Sequence, residues 1–471
     1  MPDDIVLWNT LGRRLDRLEP MVPGEVRIYT CGPTVYSDAH VGNLRTFLFE
    51  DLLRRTLELL GYRVIQVMNL TDVDDKTIRG AQQAGVSLAE YTAPVAKAFF
   101  RDLDLLHVER AEAYPPATEH VPAMIALIER LVANGHAYVA DGSVFFRIAS
   151  DPDYGRLSGF DLEQARRGER VASDEYDKED VRDFVLWKGG KPGEPAWESP
   201  WGPGRPGWHI ECSAMSMELL GETFDVHCGG VDNIFPHHEN EIAQSESATG
   251  KPFVHLWLHA EHLIVDGQKM SKSLGNQYTL ADLVAQGASL RALRYLFLSV
   301  HYRQKLNFTA DSLEAAAGAL KRVDEMRFRL AHAQETAAPG GAVAEAAREL
   351  DRGVRRALAD DLNAAAALAA VFTLVKTVNV AIEEGRLGAG EKESVLAALA
   401  GADRVFGVFD PAAWKEADGA GDDAEIERLV HERQEARRRR DFAAADRLRD
   451  ELGERGVLIE DTPQGARWKR R

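Results

Sequence analysis

The chain has 471 residues, 45% of them apolar, which is more than one hydrophobic core usually holds and predicts a globular protein of several domains. A formal net charge of -18 argues against a general nucleic-acid binder, because contacts to phosphate need Lys and Arg. Three cysteines in so long a chain argue against a disulfide framework. Residues 1–4 begin no signal-peptide pattern, and no uninterrupted apolar run reaches roughly eighteen residues. We therefore expect a cytoplasmic protein without a membrane segment.

The first part of the chain predicts the start of a parallel sheet. Residues Glu25–Thr30 alternate and favour a strand, residues 44–60 carry apolar side chains at helical spacing, and residues 62–70 favour a second strand. A strand, a helix and a strand in this order form a βαβ unit. Ligands of such sheets bind at the C-terminal ends of the strands, which is where Cys31 and residues 71–75 fall.

The pattern changes at about residue 121, where a helix, a short strand-like segment at residues 144–146 and charged, Gly/Pro-rich sequence follow. The α/β pattern returns with a strand at residues 224–226, a helix from about Pro236, and apolar segments at residues 253–258 and 262–265. The sequence therefore predicts an α/β fold. Its Rossmann-like parallel-sheet domain consists of residues 1–120 and 200–300, interrupted by a connective domain at residues 121–199.

After about residue 290 the chain becomes helical, with Leu, Ala and Arg at helical spacing. Gly-rich segments at residues 339–341 and 417–421 divide it. We predict an α-helical bundle at residues 301–416 and a small C-terminal module at residues 425–471.

The C-terminal module is basic although the chain is acidic. From Arg428 to Arg471 there are 13 Lys or Arg against 9 Asp or Glu. The densest run, residues 437–440, is either a nucleic-acid contact or a solvated helix face that pairs with nearby acidic residues. The run by itself does not decide between them.

Cys31, Cys212 and residues 236–241 supply the residue types of a zinc site, namely two thiols, imidazoles and a carboxylate. His237 and Glu241 are four residues apart and can project from one helical face, with Pro236 suited to the first turn. His238 is three residues from Glu241, so spacing alone does not choose between the two imidazoles. The alternative is a pair of buried structural cysteines with a capping histidine.

Two further motifs indicate phosphate chemistry. The segment HVGN, residues 40–43, lies between the first predicted strand and the first helix, where backbone N–H groups and the helix dipole favour an anion. Gly42 lets a ligand approach the backbone, and His40 can donate to a phosphate oxygen. The segment KMSKS, residues 269–273, carries two lysines that can reach a transferring phosphate. Each motif alone is compatible with a structural loop, but the pair in this order indicates nucleotide chemistry.

The two motifs resemble the HIGH and KMSKS signatures of class I aminoacyl-tRNA synthetases. Further segments resemble the cysteinyl-tRNA synthetases of that class, and they lie at residues 29–36, 69–76, 204–215, 235–241, 441–446 and 458–462. The resemblance covers most of the chain and implies one zinc ion per chain, held by Cys31, Cys212, His237 and Glu241. It also implies an amino-acid pocket formed by Thr71, Trp208, His227 and Asp232, in which Asp232 pairs with the ammonium group and Trp208 closes over the side chain.

The resemblance implies ATP-dependent activation of L-cysteine to cysteinyl-adenylate and transfer of the cysteinyl group to tRNA(Cys). Zinc would select the substrate thiolate, and Mg²⁺ would accompany ATP. The implied catalytic residues are His40, Asn43, Lys269 and Lys272, and these bind ATP together with Gly42. The module at residues 425–471 would meet the anticodon arm, with Trp468 stacking on a base. We expect a monomer.

Two positions depart from the family pattern. Asn43 replaces the final histidine of HIGH, and its amide can still donate to phosphate or ribose. Cys228 stands where the family usually has glycine, and a buried inert thiol is its simplest interpretation.

Two other functions compete with tRNA charging. One is a cysteine ligase that transfers cysteine to an amino-sugar acceptor, which the sequence after residue 424 argues against. The other is a non-catalytic tRNA-binding paralogue, which the intact His40, Lys269 and Lys272 argue against.

Overall fold

The computed structural model describes residues 4–160, 183–271, 274–338, 340–414, 423–439, 441–454, 457–462 and 465–470. Their strands are β1 (Val6–Asn9), β2 (Arg14–Arg17), β3 (Glu25–Thr30), β4 (Arg63–Met68), β5 (Ala137–Ala140), β6 (Ser143–Phe146), β7 (Phe184–Gly189), β8 (Gly204–Pro206), β9 (Phe224–Gly230), β10 (Val254–Ala260), β11 (Leu263–Val265), β12 (Gln268–Lys269), β13 (Leu306–Phe308), β14 (Val457–Thr462) and β15 (Gly465–Arg470). Their α-helices are α1 (Val41–Leu59), α2 (Asp75–Ala84), α3 (Leu88–Leu105), α4 (Val121–Ala133), α5 (Trp208–Leu220), α6 (Glu239–Thr249), α7 (Leu280–Ala285), α8 (Leu290–Ser299), α9 (Ala310–His332), α10 (Ala342–Ala359), α11 (Ala364–Glu383), α12 (Glu391–Phe406), α13 (Asp423–Arg438) and α14 (Phe442–Glu454). The chain forms two compact units, Met1–Phe409 and Asp410–Arg471.

A four-stranded parallel sheet lies in the first unit, with the strand order β10-β9-β3-β4. Most residues of these strands are buried, as expected for a parallel sheet covered on both faces. Tyr29 on β3 pairs with Val67 on β4 on one side and with His227 on β9 on the other. The predicted α/β fold is therefore confirmed, including the βαβ unit β3-α1-β4.

Helix α1 begins at the HVGN segment. His40 is its N-cap: Nδ1 of His40 accepts the N–H of Asn43, and Oδ1 of Asn43 accepts the N–H of His40, both at 3.2 Å. Leu44, Phe47 and Leu48 follow at helical spacing and are buried. The capping contacts and the apolar face together fix the N-terminus of α1 at the C-terminal edge of the sheet.

A second, antiparallel sheet lies between β4 and β9 along the chain, where the sequence predicts an insertion. Its strand order is β5-β6-β7-β8, and β6 contains the predicted strand-like residues 144–146. Glu239 at the start of α6 accepts the N–H groups of Gly155 and Ser158 at 3.0 and 2.8 Å. The insertion is thereby tied to the helix that carries Glu241. The domain boundaries themselves stay predictions.

Helices α9 to α12 follow, as predicted for the helical sequence after residue 290. Within the described ranges, α11 is the one helix long and apolar enough to cross a membrane by length and composition. Its buried residues recur at intervals of three and four, and they include Ala367, Leu368, Val371, Leu374 and Val378. This is the pattern of a helix whose apolar face packs into the core of the bundle.

A buried ion pair connects α1 with α8. Nη2 of Arg294 lies 2.6 Å from Oδ2 of Asp51, and both side chains are fully buried. Arg294 also donates to the carbonyl of Phe406 at 2.6 Å, and Asp51 accepts the N–H of Glu109 at 2.8 Å. Burial acts to raise the pKa of Asp51, but Arg294 and Arg55 hold that pKa below its ordinary value. We call this pair the Arg294–Asp51 junction.

The second unit contains α13, α14 and the antiparallel hairpin β14-β15. Its apolar core consists of Leu429, Val430, Leu452 and Val457. The predicted basic run at residues 437–440 begins within α13, and Arg440 lies outside the described residues. Trp468 is in register with Ile459 in the hairpin, and its side chain lies outside the described part of the chain.

Candidate metal centre and nucleotide site

The four residues assigned to zinc meet at the C-terminal edge of the parallel sheet. Cys31 follows β3, Cys212 lies on α5, His237 lies in the turn before α6, and Glu241 lies in the first turn of α6. Their donor atoms are all within 4.8 Å of one another, and all four residues are buried. Two thiols, an imidazole and a carboxylate are a donor set that suits zinc.

The two oxygens of the Glu241 carboxyl group have different contacts. Oε2 of Glu241 lies 3.0 Å from Nε2 of His227, and Nδ1 of the same ring lies 3.3 Å from the carbonyl of Cys228. Because a carbonyl only accepts, the neutral ring carries its proton on Nδ1, and its Nε2 is an acceptor toward the carboxyl group of Glu241. Oε1 lies 3.1 Å from Nε2 of His237 but accepts no hydrogen bond from the part of the chain that the structure describes. Burial raises the pKa of Glu241, and burial and the neighbouring Cys212 raise the pKa of the Cys31 thiol. An unpartnered buried oxygen beside two thiols fits a bound cation.

The local backbone at His237 differs from the prediction. The sequence predicts a helix from about Pro236, with His237 and Glu241 on one helical face. In the structure a π-helical turn, Ile234–His238, precedes α6, and Phe235 within it is extended at φ -136° and ψ 132°. Pro236 therefore lies outside the regular helix. His237 lies in the turn, Glu241 lies in the helix that follows it, and the two side chains are in contact.

His238, the rival ligand, also lies at this site. Its Nε2 is 3.3 Å from Sγ of Cys31 and 4.0 Å from Oε1 of Glu241. With Cys31, His227 and Glu241 it forms a second group of donors within 4.8 Å of one another. Gly229 gives the imidazole room, because a Cβ at Gly229 would lie 2.9 Å from Cε1 of His238. Proximity alone does not choose between the two imidazoles.

Five histidines lie at this site and are neutral, four of them buried and His209 partly buried. Burial lowers the pKa of His209, His227 and His259 to about 3, and it lowers the pKa of His237 and His238 well below the ordinary value. Nδ1 of His209 lies 2.9 Å from Nδ1 of His237, and Nε2 of His259 lies 2.8 Å from Nδ1 of His238. The sequence analysis missed His259. A histidine within the apolar strand β10 was the signal for it.

The predicted amino-acid pocket borders the metal donors. The Trp208 ring stacks on His237 with a centroid separation of 4.3 Å, and Trp208 is 41% exposed, so it covers the donors from the solvent side. Oγ1 of Thr71 donates to Oε2 of Glu211 at 3.2 Å, next to Cys212 in the sequence. A cleft of about 190 Å³ beside Trp208 is also lined by Asp74, Asp75, Lys188, Arg205 and Glu211.

The other two predicted pocket residues lie in different surroundings. His227 on β9 is fully buried beside Glu241. Asp232 is exposed on the short turn Val231–Asn233, which directly follows β9. Both belong to the sheet edge at which the metal donors meet, and their contact with substrate stays a prediction.

The HVGN and KMSKS segments lie next to each other. The N–H of Val41 donates to the carbonyl of Tyr278 at 2.9 Å, and His40 forms a β-bridge with Thr279. A Cβ at Gly42 would lie 2.7 Å from Cε of Met270, so only glycine gives this side chain its present position. The fold brings together the two motifs that the sequence assigns to ATP.

Lys269 lies at the end of a tight hairpin. Strands β11 and β12 are joined by Asp266 and Gly267, whose φ values of 48° and 74° match a two-residue turn. Asn276, which the sequence analysis missed, accepts the N–H of Ser271 at 2.9 Å and donates to the carbonyl of Lys269 at 3.3 Å. A polar residue beside Gly275 was the signal for this loop contact. Lys272 lies outside the described residues.

The capping contact sets the proton position on His40. Because Nδ1 accepts the N–H of Asn43, the neutral ring carries its proton on Nε2. A donor at the N-terminus of α1 suits an anionic phosphate group.

The chain matches three family models. They are the tRNA synthetases class I (C) catalytic domain at residues 17–318, the DALR domain at residues 353–410, and the cysteinyl-tRNA ligase anticodon binding domain at residues 421–468. The Cysteine--tRNA ligase of Solibacter usitatus is 50% identical over 98% of this chain and 99% of that relative. The Cysteine--tRNA ligase of Chlamydia muridarum is 48% identical over 99% of this chain and 100% of that relative. The chain belongs to the cysteine-tRNA ligase family.

Solved structures are similar in fold to this cysteine-tRNA ligase family member. Mycobacterium tuberculosis methionyl-tRNA synthetase in complex with methionyl-adenylate has a TM-score of 0.58 and 16% identity, covering 89% of this chain and 96% of that chain. The ternary complex of Agrobacterium radiobacter K84 LeuRS has a TM-score of 0.59 and 14% identity, covering 86% of each chain. The class I architecture expected from the sequence is confirmed.

The structure shows the contacts of Asn43 and Cys228, the two residues that depart from the cysteine-tRNA ligase pattern. Asn43 caps α1 through its side-chain oxygen, so part of its polar capacity holds His40. Cys228 is fully buried on β9, its carbonyl accepts the N–H of Cys31 at 3.3 Å, and its thiol belongs to neither group of metal donors. Burial raises the pKa of the Cys228 thiol, which fits an unreactive core residue.

Proposed function

We propose that the protein charges tRNA(Cys) with L-cysteine in two steps. A carboxylate oxygen of cysteine attacks the α-phosphorus of ATP, which forms cysteinyl-adenylate and releases pyrophosphate. A hydroxyl of the terminal ribose of the tRNA then attacks the carbonyl carbon of the adenylate, and AMP leaves. The observation that carries this proposal is the meeting of four buried metal donors and the HVGN-KMSKS pair on one sheet edge. The match of residues 421–468 to an anticodon binding domain favours tRNA over an amino-sugar acceptor.

Zinc is the ion that the donor set supports, with Cys31, Cys212, His237 and Glu241 as its ligands. When bound, zinc supplies a Lewis-acidic position that a soft thiolate occupies readily and a serine hydroxyl occupies poorly at neutral pH. His227 positions Glu241 through the contact of its Nε2 with Oε2, at 3.0 Å. A pocket that recognises shape alone separates such near-isosteres by only about 10 to 200-fold. The metal donors therefore provide the selection between cysteine and serine.

The nucleotide is bound by the N-terminus of α1 and the KMSKS segment. His40 donates through Nε2–H to a phosphate oxygen, Gly42 lets the phosphates approach the backbone, and Asn43 holds the imidazole of His40 in place. Lys269 and Lys272 bring positive charge to the transferring phosphate, and Mg²⁺ accompanies ATP. Thr71, Trp208 and Asp232 position the amino acid, with Asp232 facing its ammonium group.

The unit Asp410–Arg471 meets the anticodon arm of the tRNA, because its basic residues can neutralise phosphates and Trp468 can stack on a base. All three cysteines are free, which suits the reducing cytoplasm. We propose that the protein acts as a monomer.

Two assays test the two steps separately. We expect cysteine-dependent exchange of pyrophosphate into ATP, and we expect labelled cysteine to become attached to tRNA(Cys). Serine at the same concentration is the matched control and should support neither reaction. Exchange without charging would overturn transfer to tRNA, and the absence of both would overturn an enzymatic function.

Removal of residues 425–471 should separate the steps further. We expect kcat/KM for tRNA to fall on the order of 100-fold, because the variant loses a basic phosphate-binding surface, while pyrophosphate exchange stays within about twofold. An equal loss in both assays would show that these residues maintain the catalytic unit.

A further inference from the structure

A chain of hydrogen bonds connects the metal donors to Thr10, which directly follows β1. Oγ1 of Thr10 lies 2.7 Å from Nδ1 of His259, Nε2 of His259 lies 2.8 Å from Nδ1 of His238, and Nε2 of His238 lies 3.3 Å from Sγ of Cys31. His238 and His259 are 0% and 4% exposed, so solvent does not supply alternative partners. We call Thr10, His259 and His238 the histidine relay.

The direction of one hydrogen bond at either end of the histidine relay determines the direction of all the others. A neutral imidazole has one N–H donor and one acceptor nitrogen, and each of these two rings uses both nitrogens within the relay. If His238 donates to Cys31, then its Nδ1 must accept from His259, and Nδ1 of His259 must accept from Thr10. Any mixed arrangement would place two donors or two lone pairs against each other.

A bound metal determines which direction is used. A cysteine that ligates a metal is a thiolate, which accepts hydrogen bonds and cannot donate one. We propose that Thr10 and His259 hold His238 as an N–H donor to the Cys31 thiolate, which makes His238 a positioning residue and leaves His237 as the imidazole ligand. This inference rests on the proposed function only in assuming that the four donors bind zinc.

The contacts of His237, unlike those of His238, leave one ring nitrogen available to a metal ion. Nε2 of His237 faces Oε1 of Glu241, the oxygen that accepts no hydrogen bond from any described residue. Nδ1 of His237 lies 2.9 Å from Nδ1 of His209, to which it can donate. Donation from Nδ1 of His237 to His209 leaves the lone pair on Nε2 of His237 directed at the metal donors, whereas Nε2 of His238 is engaged with sulfur.

The relay also affects the chemistry of the site. A hydrogen bond to a metal thiolate withdraws charge from sulfur, so the metal stays more electron-poor and binds the sulfur of the substrate more strongly. Removal of a hydrogen bond to a metal ligand changes metal affinity by about 10 to 100-fold. Thr10, far from the donors in the sequence, thereby contributes to cysteine selection.

The adjacent histidines offer a matched test in the full-length protein. A glutamine amide can donate to a thiolate but is a poor zinc ligand. We expect His238→Gln to retain one zinc per chain with an affinity within about 10-fold of the original. We expect His237→Gln to lose the zinc. Zinc content and chelator competition measure both, and circular dichroism checks that each variant folds. A zinc-free, folded His238→Gln protein would overturn the inference.

A conservative substitution at Thr10, the end of the histidine relay that is remote from Cys31, tests whether Thr10 and His259 act on the metal donors. Thr10→Val removes the hydroxyl and keeps the shape, whereas Thr10→Ser keeps the hydroxyl. With cobalt(II) in place of zinc, we expect the sulfur-to-cobalt charge-transfer band to shift to longer wavelength in Thr10→Val only, and zinc affinity to fall about 10-fold. Identical spectra and affinities for the two variants would overturn the relay. Absence of zinc binding by the unmodified protein would instead overturn the metal assignment in the proposed function.

Discussion

The Arg294–Asp51 junction and the metal donors both bury ionisable groups beside the same sheet, but they differ in how charge is balanced. At the junction the carboxylate of Asp51 faces Arg294 and Arg55, and its pKa is lowered. At the metal donors burial raises the pKa of Glu241 and Cys31, and Oε1 of Glu241 lacks a donor among the described residues. A buried carboxylate that is paired with a cationic side chain of the same protein stabilises the fold. A buried carboxyl group that lacks such a partner indicates a binding site for a metal cation.

The physical reason is the cost of burying charge. Removal of an ion from water costs several kcal/mol even after relaxation, and a buried ion pair offsets this only with good geometry and further hydrogen bonds. The junction provides both. Burial favours the protonated forms of Cys31 and Glu241 until a cation replaces their protons. The predictions below change one region and compare it with the other.

The largest effect is expected at the metal donors. Cys212→Ala should remove the bound zinc and lower kcat/KM for cysteine activation at least about 100-fold, because the substrate sulfur loses its binding position. Cys228→Ala is the matched control, since it removes a buried thiol that belongs to neither donor group, and it should retain one zinc. Metal analysis and pyrophosphate exchange measure both variants. Stoichiometric zinc in Cys212→Ala would refute the ligand assignment.

The next effect concerns stability. Arg294→Met leaves Asp51 buried without its closest cation and should lower the free energy of unfolding of the first unit by about 3 to 5 kcal/mol. The zinc content of the folded variant should not change. Arg352→Ala, which removes an exposed ion pair with Glu345, is the control and should leave the denaturation midpoint unchanged. Equal midpoints for the two variants would show that the junction does not stabilise the unit.

The smallest expected effect is a difference in pH dependence between zinc binding at the metal donors and the stabilisation provided by the Arg294–Asp51 junction. Zinc competes with protons at Cys31 and Glu241, whose pKa values are raised, so zinc affinity should fall about tenfold per pH unit for each proton displaced. At the junction the folded pKa of Asp51 is lowered. Its stabilising contribution is present above the unfolded pKa of about 4 and is lost only as pH falls through the folded value.

As the pH falls, zinc should therefore leave at a higher pH than that at which the protein unfolds. Equilibrium dialysis followed by metal analysis, with circular dichroism at each pH, measures the two events. Loss of zinc and of helical signal at one common pH would contradict the difference between the regions.

The sequence predicts the fold well because local periodicity determines each element. The alternation in residues Glu25–Thr30, the helical spacing after Asn43 and the second apolar strand are enough to define a βαβ unit, and a parallel connection then sets the sheet. The Arg294–Asp51 junction was not predicted. Its partners are far apart in the chain, and neither residue carries a local signal that distinguishes it from a surface charge.

The sequence predicts which residue types form the site, but it does not predict all of their hydrogen-bond contacts. The segments containing Cys31, Cys212 and His237 indicate a metal site because zinc requires those side chains. The choice between His237 and His238 depends on which nitrogen of each ring already has a partner. That information comes from Thr10 and His259. A histidine within an apolar strand marks His259 as unusual, but nothing in the sequence places it or Thr10 beside the donors.

The pairing of β3 with β9 has a consequence for biosynthesis. Tyr29 pairs with His227, so the two strands that carry the site become neighbours only after the whole insertion between them has been made. During translation Cys31 emerges long before Cys212, His237 and Glu241, and until then it has no partners with which to hold an ion. The metal centre therefore forms only when β9 docks beside β3, a long-range contact of the kind that forms slowly in folding. Uptake of zinc by the nascent chain would mark the moment at which the parallel sheet closes.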